Sequence, residues 1–149
     1  MTTTPTTVDY FGEFTHRLDA RNRVTVPSGW RVPGDEGNYY FAWPHPEGCL
    51  AVFPPEMLAQ LKARAAALKV GDLKANRLLR GVFGRGSKFG CDGQGRILMP
   101  KNLLSFAGVE KEVVMVGLGR FFQVWSADRF NEANDEDFDM LSAMQELDI

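Results

Sequence analysis

Leu18-Asp19-Ala20-Arg21-Asn22-Arg23-Val24-Thr25-Val26-Pro27 and Cys91-Asp92-Gly93-Gln94-Gly95-Arg96-Ile97-Leu98-Met99-Pro100 are two copies of one pattern, 73 positions apart. Each has a small apolar residue, Asp, three residues, Arg, three β-type residues and Pro. Further on, Val52-Phe53 matches Val124-Trp125 at an offset of 72. An acid opens the helix that follows in each copy, Glu56 in the first and Asp128 in the second. The chain therefore reads as a tandem duplication of about 70 residues, and internal repetition of this kind constrains the architecture before any single motif does.

Within each D-x-x-x-R stretch the residue types suit a tight turn. Asp favours its first position, because the carboxylate accepts backbone N–H bonds two residues on. Gly95 suits a left-handed conformation at the end of the turn, and Asn22 is the next best tolerated residue there. Arg23 and Arg96 then begin the returning strand. A guanidinium at that place either braces the Asp or projects a fork toward phosphate or a guanine edge. Two such turns, with Arg21 in one and Arg85 and Lys88 leading into the other, shift the balance toward nucleic acid.

Outward from the turns, each unit reads as strand, turn, strand, short helical turn, hairpin, helix. Gly12–Leu18 with Val24–Val26, and Gly86–Cys91 with Ile97–Met99, are the β-rich flanks. Pro27 and Pro100 suit first helical positions. The short helix Lys101–Ala107 is closed by Gly108, and Tyr39–Trp43 with Gly48–Phe53 and Glu112–Gly117 with Phe121–Trp125 read as hairpins. Helix Glu56–Lys69 carries an apolar stripe of Leu58, Leu61, Ala65 and Leu68. Asp72 caps a second helix bearing Lys74, Arg77 and Arg80 on one face. Ser126 caps a single last helix with Phe130, Phe138, Leu141 and Met144 on its stripe. These stripes are expected to serve core or subunit contacts.

The net charge of −2 hides a strong segregation. Residues 62–101 hold ten Lys/Arg against two Asp/Glu, a net +8, whereas 128–149 hold one against eight, a net −7. Local potential, not the molecular total, decides what a surface attracts. A second expectation follows: the acidic tail screens the basic segment in the unbound protein. Hydrophobic residues at 44% and charged residues at 24% are those of an ordinary folded domain and exclude a disordered or collagen-like chain. No window approaches the roughly 18 uninterrupted apolar residues of a membrane-spanning helix. Met1–Thr7 lacks the basic and apolar parts of a signal peptide and reads as a short leader. Cys49 and Cys91 lack the clustered companions of a metal site and read as reduced, packed thiols. His16 and His45 are the only histidines. No nucleophile elbow, P-loop or H-x-x-x-H pattern accompanies them, so neither catalysis nor a cofactor is expected. The tail acids Asp135, Glu136, Asp137 and Asp139 read as a solvated helix rather than paired catalytic carboxylates.

At these residues the chain resembles the MraZ family. Gly12-Glu13-Phe14-Thr15-His16-Arg17-Leu18-Asp19-Ala20-Arg21-Asn22-Arg23 is similar to the family's first-repeat signature, and Asp92–Pro100 to its second. Ala107–Gly117 also resembles the family's stretch between the second turn and its hairpin, and Phe122–Trp125 the hairpin's end. The resemblance covers roughly residues 10–132. It implies an α+β, β-dominated fold: a duplicated AbrB-like swapped-hairpin β-barrel, an intramolecular pseudo-dimer with peripheral helices. The domain reading is a leader at 1–8, repeats at 9–71 and 72–132, and an acidic helical tail at 133–149.

The resemblance also implies a cytoplasmic, nucleoid-associated transcriptional regulator of division and cell-wall genes. It would bind tandem short repeats in double-stranded promoter DNA as a homo-oligomeric ring. The family's DNA-contacting arginines correspond to Arg23 and Arg96, its preceding basic residue to Arg21, and the Arg of its R-x-x-x-G stretch to Arg80, with Gly84. Asp19, Asn22, Asp92 and Gly95 would shape the loops, and Arg85 and Lys88 would add to the basic approach. Three positions depart from the family: Asn22 stands for its glycine, Phe11 for a basic residue near the N-terminus, and Lys88 where an acid is common. The competing readings are an AbrB-type antitoxin or transition regulator, and an assembly protein indifferent to DNA.

Overall fold

A computed structural model describes residues 8–31, 39–134 and 137–149. The expected leader lies almost wholly outside the described residues. Among the described residues, eight short strands form two antiparallel sheets: β1 Glu13–Arg17, β2 Arg23–Thr25, β3 Tyr40–Pro44, β4 Leu50–Phe53, β5 Ser87–Phe89, β6 Arg96–Leu98, β7 Glu112–Gly117 and β8 Phe122–Trp125. One sheet has the order β1-β7-β8-β4-β3-β5, and the other is a two-stranded ribbon of β2 and β6. The fold is α+β, and the expected barrel takes the form of these two sheets facing one core.

Apart from one isolated bridge, Cys91 with Ile97, the strands on either side of each D-x-x-x-R turn do not pair with each other. Instead β1 pairs with β7, aligning His16 with Val113, and β5 pairs with β3, aligning Phe89 with Tyr40. Each unit thus lends its first strand to the hairpin of the other. In the ribbon, Val24 pairs with Ile97, its own equivalent in the second copy. Where the hairpins meet, Ala51 pairs with its equivalent Gln123. The flanking bonds are reciprocal: Val26 N–H donates to Gly95 C=O and Met99 N–H to Asn22 C=O, both at 2.9 Å. An internal two-fold axis therefore passes through both sheets, and the halves meet as an isologous dimer would, each patch against its own copy.

Alternation along the strands directs the core. Val24, Val26, Ile97 and Met99 come from the ribbon and its exits, and Tyr40, Ala42, Leu50, Val52, Val113, Met115, Phe122 and Val124 from the large sheet. Trp30, in a 3₁₀ turn at Ser28–Trp30, fills the centre. Its ring lies 5.1 Å from those of Phe122 and Phe14 and 5.7 Å from that of Tyr10, and its carbonyl accepts from the Tyr40 hydroxyl at 3.1 Å. Full burial of one such large apolar side chain is worth about 1.5–3 kcal/mol. The chain before β1 crosses β7 closely: a β-carbon on Gly117 would collide with the Tyr10 backbone carbonyl.

The outer face of the large sheet is covered by helices. Helix α1, Pro55–Ala66, ends earlier than the apolar spacing suggests, because the chain turns out of the helix at Ala67 and leaves Leu68 exposed. Asp72 caps α2, Leu73–Leu79, by accepting from Ala75 N–H at 3.1 Å, and α2 runs on into a π-helical turn at Arg80–Gly84. Helix α3, Lys101–Ala107, is closed by Gly108 at φ 69°. Pro27 and Pro100 stand one residue before their helical turns, at extended ψ of 138°, not inside them.

The single last helix of the sequence reading is instead two. Ser126 caps α4, Ala127–Ala133, and Asp139 caps α5, Met140–Glu146. Asn134 leaves the helical region at ψ 70°, and the Asp139 carboxylate accepts Ser142 N–H at 3.1 Å, so a fresh start replaces continuation. Phe138 consequently falls between helices, not on a stripe.

Candidate nucleic-acid interface

The two D-x-x-x-R turns have the same internal wiring. Asp19 accepts from the backbone N–H groups of Arg21 at 2.9 Å and Arg23 at 2.8 Å, and from Arg23 Nε at 2.7 Å. Asp92 accepts from Gln94 and Arg96 N–H, both at 2.9 Å, and from Arg96 Nε at 2.8 Å. The backbone N–H of Arg23 foremost, then its guanidinium, holds the Asp19 carboxyl below the usual range; for Asp92 the backbone N–H of Arg96, then that of Gln94 and the Arg96 guanidinium do so. Asn22 and Gly95 occupy the left-handed region at φ 59° and 75°. The backbone reversal is thus fixed by one carboxylate and one left-handed residue in each copy.

Bracing the aspartate leaves each arginine in a set place. Only Nε meets the carboxylate, and a guanidinium has five N–H donors in a rigid fork. Since Val24 and Ile97 point into the core, period-two alternation puts Arg23, Thr25, Arg96 and Leu98 on the outward face of the ribbon. Arg21 and Gln94 are exposed at the turn tips. Arg31 joins them: its Nε donates to Val26 C=O and its Nη2 to Gln94 C=O, both at 3.4 Å, over Gly95. Sequence reasoning missed Arg31, whose one signal is its position directly after Trp30. Four arginines and two aspartates give this face a surplus of positive charge.

The remaining basic candidates stand elsewhere. The π turn rests on the outer face of β3, with Val82 buried and the Phe83 ring 5.7 Å from that of Phe41. Arg80 and Arg85 are exposed at its two ends. Lys88 pairs with Phe41 in register, pointing away from the core, and its Nζ lies 4.7 Å from the centre of the Tyr39 ring. The six basic residues singled out in the sequence therefore divide into a ribbon group, Arg21, Arg23 and Arg96, and an outer group, Arg80, Arg85 and Lys88.

The histidines and cysteines are structural in their surroundings. His45 Nδ1 accepts Glu47 N–H at 3.1 Å in the β3–β4 turn, and the His16 ring lies 6.4 Å from that of Phe14. Cys49 packs with Val114 and Trp125, while Cys91 packs against the main core. Among the described residues no group of three or more His, Cys, Asp or Glu side chains could hold a metal ion. No described helix is long and apolar enough to cross a membrane.

Residues 82–147 match the family described as "MraZ protein, putative antitoxin-like". The chain is 30% identical over 138 residues to the transcriptional regulator MraZ of Clostridium beijerinckii, covering 93% of this chain and 96% of that protein. This chain belongs to the MraZ family. The Heliobacterium modesticaldum protein of the same name is 32% identical over 127 residues, 85% of this chain and 87% of its own. That of Clostridium acetobutylicum is 28% identical over 138 residues, 93% and 96% respectively. The matches to the two Clostridium proteins take in 93% of this chain, so the similarity is not confined to one of the two turns.

Proposed function

We propose that this MraZ-family chain is a DNA-binding transcriptional regulator. Its repeats, 9–71 and 72–132, form one unit that reads tandem direct repeats in promoter DNA upstream of division and cell-wall genes. Several copies assemble into a homo-oligomeric ring, in the cytoplasm at the nucleoid, and the protein performs no catalysis and needs no cofactor. The observation that carries the reading is the shared outward face of Arg23 and Arg96 on a two-stranded antiparallel ribbon. A ribbon of this kind fits the major groove, where an arginine fork meets the O6 and N7 acceptors of guanine.

Arg21 and Arg31 beside them neutralise phosphates, which supplies most of the affinity and makes it fall with salt. Asp19 and Asp92 hold the forks still, so little side-chain entropy is lost on contact. Arg80, Arg85 and Lys88, on the outer group, extend the positive field rather than read bases. A ring presenting several ribbons engages successive repeats, and each later contact is intramolecular, so modest single contacts multiply.

The test is a gel-shift titration of wild type, Arg23→Ala and Arg96→Ala on repeat-bearing promoter DNA at several salt concentrations. Each substitution should cost about 1–3 kcal/mol of discrimination, with little change on unrelated DNA. Folded variants that bind as wild type does would overturn the assignment.

A further inference from the structure

The outward face of the β2–β6 ribbon carries a leucine among its arginines. Arg23 stands opposite Leu98 and Arg96 opposite Thr25, in register across the two strands. Alternation sends Ile97 and Met99 into the core, at 0% and 1% exposure, and turns Leu98 between them outward, where it is 54% exposed. Arg23 and Arg96 are half-buried, each held by its Nε against an aspartate at 2.7 and 2.8 Å. Leu98 therefore stands in water on a face whose surplus charge comes from Arg21, Arg23, Arg31 and Arg96.

Its isobutyl group brings neither charge nor hydrogen bond, so it adds to a nucleic-acid contact only by meeting something apolar. In the major groove the apolar group on a base edge is the C5 methyl of thymine. Side chains directly opposed across an antiparallel pair have β-carbons about 5 Å apart, and bases along one strand follow each other about every 3.4 Å. A leucine opposite Arg23 thus falls within about one or two base pairs of the guanine that Arg23 meets.

We propose that Leu98 is a specificity-determining residue that packs on the C5 methyl of a thymine beside the guanine met by Arg23. The role rests on the DNA-binding reading proposed above and adds to it the chemistry of one neighbouring base. Thymine is favoured there on two counts. Its methyl group loses water against the leucine, whereas cytosine would press its N4 amino donor against a side chain that cannot accept, and an unmet donor costs binding. Thr25, the equivalent of Leu98 in the first repeat, is shorter and carries a hydroxyl that bonds to either kind of base edge. The demand for a methyl group accordingly belongs to the Leu98 side of the ribbon.

Deoxyuridine pairs as thymidine does and lacks only the methyl group. Fluorescence-anisotropy titrations of the full chain compare repeat-bearing promoter DNA with versions in which one thymine of each repeat, taken in turn, is deoxyuridine. At a thymine beside a guanine, wild type should lose about fourfold or more in affinity, the worth of one buried methyl group. Leu98→Ala should still prefer the repeats to unrelated DNA, yet bind the thymine and deoxyuridine versions equally. Cooperative thermal unfolding verifies that the variant is folded, and Leu98→Gln replaces it if it is not. Suppose wild type prefers the repeats but no deoxyuridine weakens it, or the folded variant loses as much as wild type does, or loses the repeat preference altogether. The Leu98 assignment then falls while DNA binding stands. If wild type shows no preference for the repeats at any salt concentration, both fall.

Discussion

Arg31 lies across Gly95, its guanidinium filling the space that a β-carbon there would need. The equivalent position in the first repeat is Asn22, which already carries a side chain in the same left-handed conformation, φ 59° against 75°. The two turns share a backbone path but not a tolerance for substitution. Gly95→Ala should cost about 1–2 kcal/mol through its positive φ, or roughly 2–8 °C in Tm for a chain of this length, and should displace Arg31 as well. Asn22→Gly should change stability by no more than about 0.5 kcal/mol, since glycine adopts this conformation without strain. Thermal unfolding of the two variants checks the asymmetry.

Asp19 and Asp92 carry negative charge on a face proposed to meet an anion, so charge and geometry make opposite forecasts. Were charge alone decisive, Asp19→Asn or Asp92→Asn would tighten DNA binding. Because each carboxylate fixes two backbone N–H groups and an arginine fork, the substitutions should weaken it. The same logic sets a pH dependence. Both carboxyls titrate below their unfolded value, so their contribution is present above that value and is lost as pH falls through the lowered one. Amide shifts of Arg23 and Arg96 should hold steady from neutral pH to about pH 5 and move only below about pH 4. Movement near pH 6 would contradict the carboxylate-braced turn.

Arg129 ties α4 to two distant carbonyls. One Nη donates to Gly48 C=O at 2.9 Å, in the first repeat's hairpin turn, and to Phe106 C=O at 2.6 Å, near the end of α3. Arg129→Ala removes both charge-assisted bonds and should cost about 1.5–3 kcal/mol. Chemical denaturation should show the loss in the midpoint at unchanged slope, because the exposed area on unfolding is the same.

Burial, with the charge of Glu47 adding to it, pushes the Cys49 thiol up to about 12. The nucleophilic thiolate is therefore scarce at neutral pH. In a Cys91→Ser background, alkylation of Cys49 should be slow in the folded protein. It should accelerate in denaturant along the unfolding curve measured by circular dichroism. Prompt labelling of the folded protein would show that the hairpin end opens on its own.

The turns were legible because their information is local. An Asp four residues before an Arg, with Asn or Gly between, encodes its own hydrogen bonds. Gly108, Asp72 and Ser126 are caps that likewise declare themselves within one helical turn. Strand partners are a different matter. Strands as short as Arg23–Thr25 and Ser87–Phe89 carry too little alternation to name the strand they meet, and their partners lie more than forty residues away. The exchange of first strands thus came from the family resemblance and was resolved by register. The split of the last helix at Asn134 and Asp139 had a local signal, the capping aspartate, which apolar periodicity overrode. Arg31 and Arg129 act across 63 and 81 positions, and no pattern in the chain announces either contact.

The internal two-fold axis has a consequence for direction. Two identical subunits meeting at Val24 and Ile97 would present identical loops and suit a palindrome. Fusion into one chain releases the loops from that identity: Ala20 and Arg21 are exposed on one side and Gly93 and Gln94 on the other, where Gly95 is buried under Arg31. One side offers the Arg21 side chain from its own tip; the other offers the neutral amide of Gln94, with the Arg31 guanidinium laid against the turn. On the proposed DNA-binding reading, such a ribbon has a head and a tail and can tell which way a repeat runs. A polar reader of this kind suits sites strung in one orientation, which no symmetric pair of loops could distinguish from their reverse.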